Sequence, residues 1–340
     1  MPQSNQSNSS NQTNLLRPTD LSGFRGQVDV KRRIAISLEA AKIRQECLPH
    51  ILIAGPPGLG KTTLAQILAK EMGSNIHITS GPSLEKPADL AGTLVNLNKG
   101  DILFIDEIHR MPPQVEEFLY PAMEDLKLDI LIDQGPQAKT VRIDLMPFTL
   151  IAATTKPGGL TAPIRSRFAT IHKLELYNLM ELTEIVMASA KRLETNIDEL
   201  AASTIAMRSR GTPRIANKLL AWVRDFATAS KQNITEALAK EALEDIGIDE
   251  DGLDPVDRKI IITLCKEFRG GPVGLNSLAM SCDEDTNTLE TVHEPYLVSN
   301  GYLRRTPQGR IATEKAHALA GTQAPKGKGF LPGLFDKNTK

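Results

Sequence analysis

HILIAGPPGLGKTTLAQILAKEM, residues 50–72, reads as a short apolar strand, a glycine-rich turn and an amphipathic helix. Leu64, Ile67, Leu68 and Met72 fall on one face of that helix. At the turn, Gly55-Pro56-Pro57-Gly58-Leu59-Gly60-Lys61-Thr62 satisfies GxxxxGK[ST] in full, between the strand and the helix that the motif requires. Its glycines let backbone N–H groups wrap phosphate oxygens at a helix N-terminus, where the helix dipole favours anions. Lys61 is suited to the β- and γ-phosphates, and Thr62 offers a hydroxyl to Mg²⁺. A ligand-free Gly/Pro turn is the alternative, and the flanking elements speak against it. The motif predicts a site for ATP or GTP.

Working outward, DILFIDEIHR (101–110) and PFTLIAATTK (147–156) are further short apolar strands. Apolar strands separated by helices imply a parallel sheet covered on both faces. The first of the two ends in Asp106-Glu107, suited to hold the Mg²⁺ shell and to orient or deprotonate water, respectively. The other ends in Thr154-Thr155, where a hydroxyl could sense the γ-phosphate or simply finish a β-branched strand. Segments 128–132 and 139–145 flank Gly135-Pro136 and predict a hairpin before that last strand. Ile164-Arg165-Ser166-Arg167-Phe168 offers an arginine able to cross a subunit boundary, an effect typically worth about 10³–10⁵ in rate; surface charge is the simpler reading of the residue by itself. Gly211-Thr212-Pro213-Arg214 starts a helix from which Arg214 could reach back to its own nucleotide, or serve only as surface charge.

The 340 residues suggest two or three domains, and 41% hydrophobic with 24% charged residues is the balance of an ordinary folded protein. No apolar run approaches the roughly 18 residues of a membrane helix. The opening MPQSNQSNSSNQTN lacks the features of an export signal and reads as a disordered tail over 1–14. Cys47, Cys265 and Cys282 are odd in number and unpaired in sequence, which argues against disulfides or zinc and for a reducing cytoplasm. Forty basic residues against 41 acidic give a net charge of −1, which excludes nothing about partners. From Asn178 to Asp245 the pattern is helix after helix. An acidic run from Glu241 to Asp257 then predicts a solvated face or hinge, with a boundary near Asp249–Leu253. Three or four short helices and NGYLRRTPQGRIAT suggest a winged helix, with Thr306-Pro307-Gln308-Gly309 as the turn of its wing. A second disordered tail is predicted over 321–340.

These pieces, in this order, resemble an AAA+ ATPase. LRPTDLSGFRGQ, TSGPSLEKPADLAGTL, LYPAMEDLKLDI, SRGTPRIANKLL, GGPVGLNSLA and HEPYLVSNGYLRRTPQGR narrow the resemblance to the RuvB family, motors that drive branch migration at Holliday junctions. The similarity runs from about Leu16 to Leu319. It implies an α/β P-loop AAA+ domain (15–177), an all-α lid (178–249) and a C-terminal winged helix (250–320). It also implies a hexameric ring around duplex DNA, coupled to RuvA and, in the larger complex, to RuvC.

Residue by residue, the resemblance places Leu16 and Arg17 at the adenine end of ATP and Gly58, Gly60, Lys61, Thr62 and Thr63 at phosphate and metal. Thr62 and Asp106 would hold Mg²⁺, with Glu107 acting on water and Thr155 as the sensor. Glu124, Asp125 and Leu126 would lie along the site, Tyr177 and Arg214 would close it from the lid, and Arg167 would be the finger acting on the neighbouring subunit. Ile130 and Ile132 on hairpin 128–145 would meet RuvA, the alternative being a hairpin face packed on its own domain. Arg305 and Arg310 would meet DNA phosphates, in a segment (301–340) with eight basic residues and two acidic. Ala169, Lys156 and Asp133 depart from the family pattern without removing a catalytic group. A protein-remodelling ring is disfavoured because 79–100 holds no aromatic residue for a pore loop. A clamp-loader relative or DNA-binding regulator would share the ATPase core, but HEPYL and RTPQGR favour the RuvB family.

Overall fold

The computed structural model describes residues 15–132 and 139–323. It divides into two compact units, Met1–Ala242 and Leu243–Lys340. In the first unit a five-stranded sheet has the order β2 (Ile76–Ser80), β3 (Ile102–Asp106), β6 (Thr149–Thr154), β1 (Ile51–Ala54), β7 (Thr170–Lys173), with every neighbour parallel. The three central strands are those with unbroken apolar runs. Side chains alternate between faces, so Leu52, Leu103, Ile105, Leu150 and Ala152 enter one core while their equally buried neighbours Ile51, Ile53, Phe104 and Ile151 take the other. The two edge strands, IHITS and TIHK, carry polar residues and are absent from the sequence reading.

Helix α1 (Val28–Arg44) packs beside α2 (Lys61–Met72). Leu64, Ile67 and Leu68 of α2 are fully buried, as its spacing predicts, while Met72 is half-exposed. On the other side, α3 (Pro87–Val95) and α4 (Pro113–Glu124) pack against each other. Strands β4 (Lys127–Ile132) and β5 (Lys139–Asp144) form a separate antiparallel pair, in register from Lys127 opposite Asp144 to Ile132 opposite Lys139. Buried Leu128 and Leu145 anchor its base in the core. The Gly135-Pro136 turn, Asp133 and the side chains of Ile130 and Ile132 lie outside the described residues.

A short helix, α5 (Ala162–Arg167), precedes β7. The helical part begins where Asn178 caps α6 (Leu179–Arg192): its side chain accepts from Glu181 N, and the Glu181 carboxylate accepts from Asn178 N. Then come α7 (Glu199–Met207), α8 (Pro213–Ser230) and α9 (Glu236–Asp245).

The second unit holds helices Pro255–Lys266 and Leu275–Ser281, a helical run from Thr286 to Ser299 containing a π-turn at Leu289–His293, and a last helix Glu314–Leu319. Strands β8 (Leu303–Thr306) and β9 (Gly309–Ala312) pair antiparallel to form the wing, and a bridge from Val273 to Arg310 extends it. Gly309 and Gly271 are required there. Both have positive φ, and a Cβ on either would stand 2.3 Å from a carbonyl oxygen, of Val273 and Arg310 respectively.

The acidic run is corrected by this unit. It is not simply a solvated face, because several carboxylates are structural acceptors. Asp257 is fully buried, and its Oδ1 lies 2.7 Å from His293 Nδ1. Asp254 caps the helix that begins at Pro255, Asp249 pairs with Arg258 at 2.7 Å, and Asp251 accepts the Tyr302 hydroxyl at 2.6 Å. A charge run read in one dimension cannot reveal these partners, because they are distant in sequence.

Candidate functional site

The loop between β1 and α2 takes a shape that only glycine accepts readily. Gly58 and Gly60 have φ of +81° and +95°, which turns successive backbone N–H groups toward the start of α2. Lys61, the first residue of α2, is 7% exposed, and its ammonium donates to the carbonyls of Gly55 and Pro56, both at 2.9 Å. Burial pulls the Lys61 pKa below the ordinary lysine value, while the Asp106 and Glu107 carboxylates pull it back up. A desolvated cation resting on neutral carbonyls, within the field of two acids, is poised for an anionic ligand. Thr62 and Thr63 follow on the first turn, half-buried.

Asp106 ends β3, and its Oδ1 accepts the Glu107 backbone N–H at 2.9 Å. Glu107 adopts left-handed geometry (φ +48°), uncommon outside glycine and often found at functional sites. Gly81 makes room for that bend, since a Cβ there would stand 2.4 Å from the Glu107 carbonyl oxygen. Thr155 donates its hydroxyl to Glu107 Oε2 at 3.0 Å. His109 Nδ1 lies 3.2 Å from the same oxygen and 3.0 Å from Thr154 Oγ1. The expected sensor and water-orienting acid are therefore in direct contact, and His109 is a third member that the sequence reading missed. Its only signal was its place two residues beyond the acidic pair.

The helical part reaches the loop through two residues named from sequence. The Arg214 backbone N–H donates to the Gly58 carbonyl at 3.3 Å, so α8 begins against the phosphate loop. Tyr177, 6% exposed, donates its hydroxyl to the Leu59 carbonyl at 3.2 Å and packs on Gly26. Arg17 donates to Gln66 on α2 at 3.2 Å, and the buried Leu16 presents its carbonyl to Arg192 of α6 at 3.1 Å. Gln27 exchanges two hydrogen bonds with the Glu175 backbone, at 2.7 and 3.2 Å. Arg192 and Gln27 thus join the N-terminal strap to the approach to the lid, and neither was singled out from sequence.

Arg167 and Glu124 form a group of their own. Arg167 Nη2 pairs with Glu124 Oε2 at 3.0 Å, and Asp125 and Leu126 follow directly at the end of α4. The contact shown by Glu124 is with the finger candidate and not with the phosphate loop. In the wing, Arg305 and Arg310 stand opposite each other, and both are committed to Glu294, which is fully buried. Arg305 Nε donates to Glu294 Oε1 at 2.7 Å; Arg310 Nε and Nη2 donate to Oε1 and Oε2 at 3.0 and 3.1 Å. The Arg310 side chain is 18% exposed and that of Arg305 is 52%. The two arginines read alike in sequence differ here: Arg310 forms a buried fork on an acid, while half of Arg305 faces solvent.

Three domain models of one family match consecutive parts of the chain. They are the "Holliday junction DNA helicase RuvB P-loop domain" over 16–174, the "RuvB AAA lid domain" over 177–249 and the "RuvB C-terminal winged helix domain" over 250–320. The chain belongs to the RuvB family. The Holliday junction branch migration complex subunit RuvB of Kosmotoga olearia is 51% identical over 320 residues, 94% of each chain. That of Thermotoga maritima is 51% identical over 317 residues, 93% of this chain and 95% of the relative. The solved structure of the Thermotoga maritima RuvB Holliday junction branch migration motor superposes with a TM-score of 0.83 at 49% identity, covering 92% of this chain and all of that one. The α/β P-loop domain, AAA lid and winged helix expected from sequence are thus the domains of a RuvB-family ATPase. Among the described residues, no helix is long and apolar enough to cross a membrane.

Acid should weaken the RuvB-type ATPase domain through two histidines, His172 buried and His50 half-buried. His50 accepts the Leu150 N–H at Nδ1 (2.9 Å) and approaches the Met123 carbonyl through Nε2 (3.2 Å). His172 is 3% exposed, and neither ring nitrogen has a hydrogen-bond partner among the described residues. Burial lowers both pKa values, so the folded state binds fewer protons than the unfolded chain below about pH 6.5. Their contribution is present above that pH and is lost as pH falls through the depressed folded values. We expect the melting temperature to drop between pH 7 and 5, and the slope to flatten in His50→Gln. An unchanged slope would show that other groups set the acid limb.

Proposed function

We propose that this protein is an ATP-driven DNA motor that moves Holliday junctions as one subunit of a hexameric ring in recombination and repair. Membership of the RuvB family, with Lys61, Asp106, Glu107 and Thr155 assembled around one phosphate loop, carries the reading. ATP binds with its phosphates on the N–H groups of Gly58 to Thr63 and its charge against Lys61. Leu16 and Arg17 serve the adenine end, and Tyr177 and Arg214 close the site from the lid. Thr62 and Asp106 suit Mg²⁺, as hard oxygen donors beside that loop, and a bound ion would neutralise phosphate charge. Glu107, held by Thr155 and His109, orients water and accepts its proton. Arg167 reaches the nucleotide of the adjoining subunit with Glu124, Asp125 and Leu126 beside it, so turnover requires assembly. Loss of the γ-phosphate resets the lid, and each lid movement carries the winged helix along DNA.

The working partition is a P-loop domain over 15–177, a lid over 178–249 and a DNA-binding head over 250–320, acting in the cytoplasm. RuvA docks on hairpin 128–145, and RuvC joins the larger complex. The test is strand migration on a synthetic four-way junction with the cognate RuvA. ATP-dependent conversion of the junction to duplex products is expected. Vigorous ATP hydrolysis with no product would contradict the reading.

Arg305 and Arg310 would position the head on phosphates, and their different burial separates the two variants. Arg305→Ala should leave folding intact and make the salt dependence of duplex binding shallower by about one unit of log–log slope. Arg310→Ala should also cost about 1–3 kcal/mol of head stability, because buried Glu294 loses two of its three donors. Calorimetry and filter binding at graded salt check both, and equal stability of the two variants would refute the distinction.

A further inference from the structure

We propose that Tyr120 is a positioning residue for hydrolysis at the adjoining subunit's site, holding the Arg167 guanidinium in the attitude from which it crosses the boundary. The inference rests on the finger role of Arg167 given above. The Arg167 guanidinium lies 4.4 Å from the centre of the Tyr120 ring, within cation–π range. Its Nη1 donates to the Pro163 carbonyl at 2.8 Å, Nη2 meets Glu124, and Nε is buried with no hydrogen-bond partner among the described residues. The aromatic face therefore fills the place of a polar partner over much of the group.

Tyr120 is itself pinned. Its hydroxyl donates to Glu116 Oε1 at 2.6 Å and lies 3.3 Å from Thr161 Oγ1, which donates to the same carboxylate oxygen. Glu116 is 8% exposed, and Thr161 is the residue immediately before α5, the helix that ends in Arg167. The ring thus holds the guanidinium by its face, and its hydroxyl shares the Glu116 carboxylate with Thr161 at the start of the finger helix. Burial and the neighbouring Glu116 push the phenol pKa up, which keeps it a donor at neutral pH.

The two remaining contacts of Arg167 differ in what they can do. Glu124 is more than half exposed, so its pair with Arg167 is weak and easily exchanged. It is a carboxylate standing where a neighbour's phosphate can take over. Tyr120 is neutral and lies against the guanidinium face, so its contact survives that exchange. A long side chain with several free torsions would otherwise be ordered anew in every turnover, a cost that preorganised contacts remove.

The test uses the full chain with ATP and a synthetic four-way junction, comparing Tyr120→Leu, Tyr120→Phe, Arg167→Ala and Lys61→Ala. Tyr120→Leu should lower kcat about tenfold with KM for ATP within about twofold, while Tyr120→Phe, which keeps the ring, should lose no more than about threefold. Mixing Tyr120→Leu with Lys61→Ala subunits should restore turnover above either alone. Lys61→Ala subunits bring an intact finger to the intact phosphate loops of their Tyr120→Leu neighbours. A general folding defect would not be relieved in this way. Turnover within twofold of the parent for Tyr120→Leu, an equal loss in Tyr120→Phe, or no recovery on mixing would overturn the proposal. Unchanged turnover in Arg167→Ala would remove the finger role itself, an outcome read separately from the Tyr120 arms.

Discussion

Lys61→Ala should reduce ATP hydrolysis by about 10³-fold or more and abolish junction migration, with the fold intact. Lys61 is the cation within residues 55–62, and its ammonium is already desolvated. It donates to the Gly55 and Pro56 carbonyls, and phosphate oxygens offer it far better acceptors. Removing it also removes a positive charge that offsets Asp106 and Glu107, so the phosphates would face two acids with one cation fewer. Lys61→Arg keeps the charge but replaces a compact ammonium with a planar fork, which the narrow turn around Gly58 and Gly60 is not shaped to receive. Steady-state turnover and fluorescent-nucleotide binding check this. A Lys61→Ala protein with more than a tenth of parental activity would contradict the assignment.

Arg167→Ala is expected to lower turnover by about 10³-fold in the assembled ring while leaving nucleotide affinity close to that of the parent. The side chain contacts Glu124, Tyr120 and the Pro163 carbonyl of its own subunit, none of which belongs to the phosphate loop. A group that meets the nucleotide of another subunit should therefore separate binding from hydrolysis. Lys61→Ala should show no such separation. Equilibrium binding and single-turnover hydrolysis on the same preparations measure the difference. Loss of affinity parallel to the loss of rate would place Arg167 in its own subunit's site.

The sequence made the centre of this molecule legible and left its margins obscure, for a physical reason. Strands β1, β3 and β6 are covered on both faces and so are apolar throughout. The edge strands β2 and β7 border only one neighbour each, and IHITS and TIHK carry no comparable signal. The phosphate loop was readable because its chemistry is fixed by local spacing, eight residues that must turn around an anion. Partner choice is not local. Arg167 meets Glu124 from 43 positions away, Gln27 meets Glu175 from 148, and both wing arginines converge on Glu294. Segments containing Tyr120, His109 and Glu294 carried the family resemblance, yet nothing in their one-dimensional pattern distinguished these side chains from their neighbours. Their roles come from what the fold sets beside them.

The central claim is that ATP is cleaved at a boundary between subunits and that this cleavage is tied to DNA. ATP turnover per subunit, measured across protein concentrations with and without a four-way junction while light scattering follows assembly, tests it most directly. The account predicts turnover that climbs steeply as rings form and climbs further when the junction is added. Full turnover from separate subunits, at a rate the junction does not change, would contradict it.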